Sequence, residues 1–248
     1  MPIEGDTKLA ARLAREAGAL LLALRDAGAL AGKALGAEGD AQANAFLVQA
    51  LHDARPDDAI LSEEAADSDA RLSNPRVWII DPLDGTREYS EGRDDWAVHV
   101  ALSVDGLAIV GAVALPARGI VLDSGSASLA PLDPVAARCP RMVVSRSRPP
   151  AQAIDVARAL DAELIAMGSA GAKAMAVVLG EADIYLHAGG QYAWDNAAPV
   201  AVASAAGLHC SRIDGSPLRY NMADTYVPDL IICRREWAEK VLTVVRTV

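Results

Sequence analysis

Asp81 and Asp84, with Gly85 and Thr86 directly after the second, are the residues whose types and spacing point most directly to chemistry. They close the run Val77-Trp78-Ile79-Ile80-Asp81-Pro82-Leu83-Asp84-Gly85-Thr86, in which a short apolar strand stops at a carboxylate. Pro82 has no N–H to donate and is expected to end the sheet pairing there. Two carboxylates at the end of a buried strand repel each other unless a cation lies between them. Oxygen-only donors suit a hard divalent ion, Mg²⁺ or Mn²⁺, rather than zinc. A lone D-x-x-D-G also describes a plain strand-end turn with a capping aspartate, so the company of the motif matters. An EF-hand fails on spacing, because a glycine at loop position six would put Ile80 at position one, where an Asp is required.

Two further acidic positions keep that company. Glu63-Glu64 follow Ile60-Leu61 and end another short strand, about a hairpin's distance earlier. Paired glutamates are usually a solvated face, but strand ends are where α/β folds present functional groups. Trp194-Asp195 opens an Ala-rich helix, where Asp195 alone reads as an N-cap. No Cys or His is placed to act as a nucleophile. His99, His187 and His209 fall in or beside predicted strands and read as packed or surface residues.

The elements that must position these groups follow from periodicity. Asp6-Thr7 offers an N-cap for a first amphipathic helix carrying Leu9, Leu13, Leu20, Leu21 and Leu24. Ala41 to Ala54 reads as a second helix with Phe46, Leu47 and Leu51 on its apolar face, stopped by Arg55-Pro56-Asp57-Asp58. Ala59–Ser62 and Val77–Ile80 read as strands, and Trp96–Val104 and Leu107–Leu115 as a hairpin turning at Asp105-Gly106. The small, polar, Pro-containing stretch from Ser124 to Pro140 is the candidate junction, giving an α+β domain over 1–130 and an α/β domain over 131–248. Beyond it, strands at Met142–Val144, Glu163–Met167 and Asp183–Leu186 alternate with helices at Ala151–Leu160 and Lys173–Leu179. A helix from about Asp195 to Ala206 with Gly207 as its C-cap, strands near Leu208–Ile213 and Asp229–Cys233, and a final helix complete the chain.

Composition narrows the partners. The net charge is −10 and no basic cluster occurs, so a nucleic-acid polymer is a poor partner. A small anionic substrate remains open if a bound metal supplies positive charge locally. Aromatics make up only 4% of residues, with one Phe, so Ala, Leu and Val must fill the core. Cys139, Cys210 and Cys233 are odd in number and far apart, which argues for reduced thiols rather than a disulfide framework or a zinc ribbon. The N-terminus lacks a signal-peptide pattern. No apolar run reaches the roughly 20 residues that span a bilayer, so a soluble, cytoplasmic protein without a membrane partner is expected.

Taken together, a strand-end acidic pair, then D-P-L-D-G-T, then W-D before an Ala-rich helix ending in A-A-G resembles the lithium-sensitive, Mg²⁺-dependent phosphomonoesterases. This is the inositol monophosphatase and fructose-1,6-bisphosphatase superfamily, which includes the 3′(2′),5′-bisphosphate nucleotidases. The resemblance runs over nearly the whole chain, in order. It implies a five-layer αβαβα sandwich with two or three Mg²⁺ ions in a cleft between the halves, Li⁺ inhibition and a homodimer. It implies that Glu63, Asp81, the Leu83 carbonyl and Asp84 hold metal, with Asp195 binding a second ion. Glu63 and Thr86, with Asp81, would drive metal-activated water attack, and Gly85 and Thr86 would offer backbone N–H groups to the phosphate. Many relatives carry K-x-D-x-x-x-V-T-x-x-D in a mobile loop between the first two helices. Here the region reads Lys33-Ala34-Leu35-Gly36-Ala37-Glu38-Gly39-Asp40, which leaves Lys33 and Asp40 as weak matches in a shortened loop.

For the substrate, the stretch from His187 to Ala193 has no acid where inositol monophosphatases present a glutamate to sugar hydroxyls. Val144-Ser145-Arg146-Ser147 instead resembles a segment of the CysQ-type bisphosphate nucleotidases, in which Arg146 would meet a phosphate or a purine. Ser169 and Lys173 in Gly168-Ser169-Ala170-Gly171-Ala172-Lys173 would hold a second phosphate or ribose, their bland reading being a helix N-terminus capped by Ser169. Tyr220 is either a base-facing aromatic or a buried structural one. The expected substrate is 3′-phosphoadenosine 5′-phosphate, with its 5′-phosphosulfate relative beside it, in sulfate assimilation. The alternatives are an inositol or fructose bisphosphate phosphatase and a catalytically silent metal-binding homologue.

Overall fold

The structure, a computed structural model, describes residues 4–129 and 139–247. The expected 130/131 boundary therefore lies outside the described residues. Helix α1 (Glu4–Asp26) buries Leu9, Leu13, Ala17 and Leu21, one side chain per turn, against a sheet. Asp6 is no N-cap: it lies inside the first turn, fully buried, and pairs with Arg55 at 2.6 Å and Arg76 at 3.0 Å. Helix α2 spans Gly32–Ala54, so residues 33–40 are its first turns and not a loop.

The first sheet has the order β1 (Ala59–Ser62), β2 (Arg76–Asp84), β3 (Ala97–Val104), β4 (Leu107–Leu115) and β5 (Ile120–Asp123). β5 has no counterpart in the sequence reading; it is a four-residue edge strand turned back by Gly119 at φ +66°. β1 and β2 run parallel, with Ser62 beside Ile80, so Glu63 and Asp81 leave the sheet at one edge. This replaces the hairpin spacing expected between them.

β2 continues through Pro82 instead of ending there. Its pairing with β3 shifts register, Asp81 facing His99 and Asp84 facing Ala97, so one extra residue is accommodated on β2. In a regular strand, residues three apart point to opposite faces; the bulge puts Asp81 and Asp84 on the same one. Pro82 is tolerated because the bulge removes the need for its N–H.

The second sheet has the order β7 (Glu163–Met167), β6 (Arg141–Ser145), β8 (Ile184–Tyr192), β10 (Tyr226–Cys233) and β9 (His209–Ser211). Helices α5 (Ala170–Val178) and α6 (Ala193–Ala205) lie between the sheets, and α4 (Ala151–Leu160) and α7 (Arg235–Val245) cover the far face. The result is an α/β fold of five layers: α1/α2, sheet, α5/α6, sheet, α4/α7. Three apolar clusters fill the spaces between layers. On β2, Trp78 and Ile80 face α1/α2 while Val77 and Ile79 face α5/α6, as period-two alternation requires. The middle cluster holds residues of both halves, so the halves share a core. Gly111 allows this closeness, since a Cβ there would stand 2.5 Å from the Ala198 carbonyl oxygen on α6. Among the described residues no helix is long and apolar enough to cross a membrane.

Candidate metal centre and active site

Asp81, Asp84 and Asp195 converge at the edge where β2, β3 and the start of α6 meet, with ligand atoms of all three within 4.8 Å of one another. Each has a separate reason for its place. Asp81 is the last residue before the bulge, buried to 1% exposure, and Leu83 N–H donates to its Oδ1 at 3.1 Å. Asp84 follows the bulge, and its Oδ2 accepts from Ser169 Oγ at 2.5 Å and from the Gly171 N–H at 2.7 Å. Asp195 lies in the first turn of α6, where its Oδ2 accepts the Tyr192 N–H at 2.6 Å. Capping and participation in the cluster are thus compatible for Asp195.

Glu63 reaches the same edge from the end of β1, and Asp40 from α2. Gly36 and Gly39 bring α2 in: a Cβ on Gly36 would lie 2.7 Å from Thr86 Cγ2, and one on Gly39 3.2 Å from Leu83 Cδ2. Thr86 Oγ1 donates to the Leu83 carbonyl at 3.1 Å. It opens the short helix α3 (Thr86–Ser90), preceded by Gly85 in the left-handed region at φ +89°. A side chain at Gly85 would also press on Ser169 Cβ and Trp96 Cβ, at 3.2 and 3.3 Å.

The electrostatics are those of crowded carboxylates. Burial first, then Asp84, Glu63 and Asp195, holds the Asp81 carboxyl well above the usual range. Burial and the Asp84 charge push Asp195 up to about 7. Glu63 rises to about 7 through burial and the Asp84, Glu64 and Asp40 charges, although its side chain keeps an open flank. Asp40 rises to about 7 by burial and Glu64, against the pull of its Thr86 hydrogen bond. Asp84 goes the other way. Burial opposes its ionisation, but His99, Lys173 and the Ser169 hydroxyl outweigh that and bring it down to about 2.

These residues fit a hard divalent cation. Oδ2 of Asp81 is buried and meets no hydrogen-bond donor, while burial and the Asp84, Glu63 and Asp195 charges raise the cost of ionising this carboxyl. All the surrounding donor atoms of the set are oxygens, which selects Mg²⁺-like ions.

His99 is the participant that sequence reasoning missed. It is packed, as expected, but packed on the carboxylates: Nε2 stands 3.3 Å from Asp84 Oδ2, Nδ1–H donates to the Trp194 carbonyl at 3.0 Å, and Nδ1 is 3.9 Å from Asp81 Oδ2. Since the Trp194 oxygen can only accept, Nδ1 carries the proton. Burial pushes the ring's pKa down and Asp84 more than compensates, leaving it raised. Its only signal in the sequence was strand phase, since cross-strand from Asp81 a residue must share its face.

The proposed specificity residues fall differently. Ser169 does not face outward; it holds Asp84 and caps α5, accepting from Ala172 N–H at 2.9 Å, with its own backbone at φ +43°. Lys173 is buried at 5% exposure and its Nζ donates to the Gly168 and Ser169 carbonyls at 2.9 and 2.6 Å. Its ammonium stabilises the Gly168–Ser169 turn and is not turned toward solvent. Asp95, held by Arg93, accepts the Gly168 N–H at 2.7 Å and fixes the same turn. Arg146, partly exposed, bridges Glu88 at 2.8 Å and Glu91 at 2.9 Å across the halves. Ser145 Oγ accepts from Arg148 N–H. Tyr220 takes the structural alternative, buried at 2% in the middle core, and leaves the base-facing set. Lys33 is exposed in the first turn of α2.

The same order of features occurs in known proteins. The profile described as the inositol monophosphatase family matches residues 6–248. The chain is 50% identical to the 3′-phosphoadenosine 5′-phosphate phosphatase of Mycobacterium leprae over 98% of its own length and 94% of that protein. It is 53% identical to the protein of the same name from Mycobacterium tuberculosis, over 90% of this chain and 86% of that one. Its fold is shared with the crystal structure of CysQ from Bacteroides thetaiotaomicron at a TM-score of 0.84 and 24% identity, covering 94% of this chain and 98% of the other. With the acidic edge, the bulged D-P-L-D-G-T strand and the W-D helix start arranged as described, this chain belongs to the inositol monophosphatase family.

Proposed function

We propose that this chain is a Mg²⁺-dependent phosphomonoesterase that removes the 3′-phosphate of 3′-phosphoadenosine 5′-phosphate. The observation that carries the chemistry is the convergence of Asp81, Asp84 and Asp195 within 4.8 Å around a buried carboxylate oxygen with no donor. The nucleotide is supported by the two mycobacterial phosphatases at half identity over almost the whole chain, and by the absence of an acid between His187 and Ala193.

Glu63, Asp81, the Leu83 carbonyl and Asp84 would hold a first ion, and Asp195 with Asp81 a second; Asp40 is the candidate for a third, and Mn²⁺ is a chemically reasonable substitute. Ions held by these residues would supply a lowered water pKa and positive charge for the attacking and leaving oxygens. The chain's own residues do the rest. Glu63, at the end of β1 beside the cluster, would take the proton of the attacking water. Thr86 Oγ1, bonded to the Leu83 carbonyl and reached by Asp40, orients that water. Gly85 and Thr86 offer N–H groups to the phosphate. His99, Ser169 and Gly171 hold Asp84 ionised and aimed. The proposal extends to the 5′-phosphosulfate relative of the substrate, Li⁺ inhibition, a homodimer and a cytoplasmic location.

The test is phosphate release with Mg²⁺ from 3′-phosphoadenosine 5′-phosphate, inositol 1-phosphate and fructose 1,6-bisphosphate, compared as kcat/KM. A clear preference for the nucleotide is expected. Preference for either other ester overturns the substrate while keeping the metal chemistry; turnover of none leaves a silent metal-binding homologue.

A further inference from the structure

Next to Asp195 lies an aromatic surface that none of the contacts above uses. Tyr192 stacks on Trp194 with ring centroids 5.0 Å apart and planes at 12°, and Tyr226 meets Tyr192 edge-on at 5.7 Å. Tyr192 and Tyr226 are 43% and 40% exposed, and among the described residues they are the only aromatic side chains that are exposed. In a chain with four Trp, five Tyr and one Phe, the two rings left open to water touch each other.

Their position is tied to the acidic cluster. The Tyr192 N–H donates to Asp195 Oδ2 at 2.6 Å, so this surface adjoins that carboxylate. Beside it, Gly189 and Gly190 adopt φ +81° and +74°, with no heavy atom within 4 Å of a would-be Cβ. The Gly190 N–H donates to the Tyr226 hydroxyl at 3.1 Å and pins that ring. The space over Gly189 and Gly190 beside the rings is therefore open.

We propose that Tyr192 and Tyr226 form the subsite on which the purine of the substrate stacks, in place of the buried Tyr220; this rests on the nucleotide reading above. Aromatic faces suit a purine because every base has a π-face and offset stacking needs no directional donor. Tyr192 and Tyr226 would thereby discriminate a nucleotide from an inositol or sugar phosphate, while the phosphate end of the ligand is held elsewhere.

The experiment measures kcat/KM for 3′-phosphoadenosine 5′-phosphate and for inositol 1-phosphate in the wild type, Tyr226→Leu, Tyr192→Leu and Tyr192→Phe. Both Leu variants keep the backbone, including the Tyr192 N–H that holds Asp195. The expected result is a fall of about tenfold or more in the nucleotide-to-inositol ratio in each Leu variant, restored by Tyr192→Phe, which keeps the ring. Trp194 fluorescence should also be quenched by adenosine 5′-phosphate, with Trp194→Phe as the blank. If the wild type prefers inositol 1-phosphate, the nucleotide reading itself fails. If it prefers the nucleotide but the ratio moves less than about twofold, only the stacking subsite is overturned. A change of oligomeric state by light scattering with an unchanged ratio likewise overturns it, assigning the rings to a second copy of the chain.

Discussion

Asp84 receives two donors from the second half of the chain on one oxygen, and the His99 ring approaches that same oxygen. Asp84→Asn replaces the accepting oxygen set with a group that is half donor, so turnover should fall below detection and Mg²⁺ affinity by more than about 100-fold. Calorimetric titration of the folded variant checks this, and near-normal affinity would remove Asp84 from the metal set. Ser169→Ala is the subtler case. Because Ser169 touches the carboxylate rather than solvent, metal binding should weaken about 10–100-fold, an effect a substrate-binding serine would not have. The raised carboxyls set a pH dependence with a definite sign. Glu63, Asp40 and Asp195 are held at about 7, above their ordinary values, so the chelated protein is stabilised fully below about pH 4 and loses that share as pH rises through 7. Asp84, pulled down to about 2, contributes above pH 4 and does not mask the trend. Melting temperatures in chelator should therefore fall between about pH 5 and 8, and Mg²⁺ should remove the fall. A flat profile in chelator would contradict the crowding.

At the scale of elements, the bulge in β2 and the two-glycine contact of α2 do the placing. Both were partly legible. The D-x-x-D spacing and Pro82 were visible, but a register shift depends on the partner strand, which single-sequence periodicity does not contain. For α2, the glycines and Asp40 read as loop because Gly lowers helix propensity, whereas the packed contact with Thr86 and Leu83 requires them small. The inward turn of Ser169 and Lys173 was not legible, since which way a side chain turns at a helix start is decided by Asp84 and the Gly168 turn across the cleft. His99 was legible only once the β2–β3 register was known. Gly111→Ala tests the element contact directly. Its Cβ would meet backbone of α6 at 2.5 Å and the Ala201 methyl at 2.7 Å, so stability should drop by about 1–3 kcal/mol. Because α6 carries Asp195, kcat should fall with it; a variant as stable and active as wild type would show that β4 and α6 give way freely.

For the whole molecule, a second fastening joins the halves away from the acidic edge. Arg71, 2% exposed, donates to Asp67, to Asn221 Oδ1 and to the Met222 carbonyl, and Asn221 Nδ2 donates back to the Arg71 carbonyl at 3.1 Å. Arg71→Ala leaves these acceptors bare and should cost about 2–4 kcal/mol by denaturant unfolding; a loss under half of that would make the clasp ornamental. The shared middle core has a further bearing on how the protein is made. The face of the first sheet that carries Val77, Ile79 and Val113 is covered by α5 and α6, which lie far downstream in the chain. Ribosomes add about 5–20 residues per second, so for seconds the emerging first half displays a bare apolar face and two uncompensated aspartates. That nascent surface is where chaperone dependence and co-translational misassembly of this fold should concentrate.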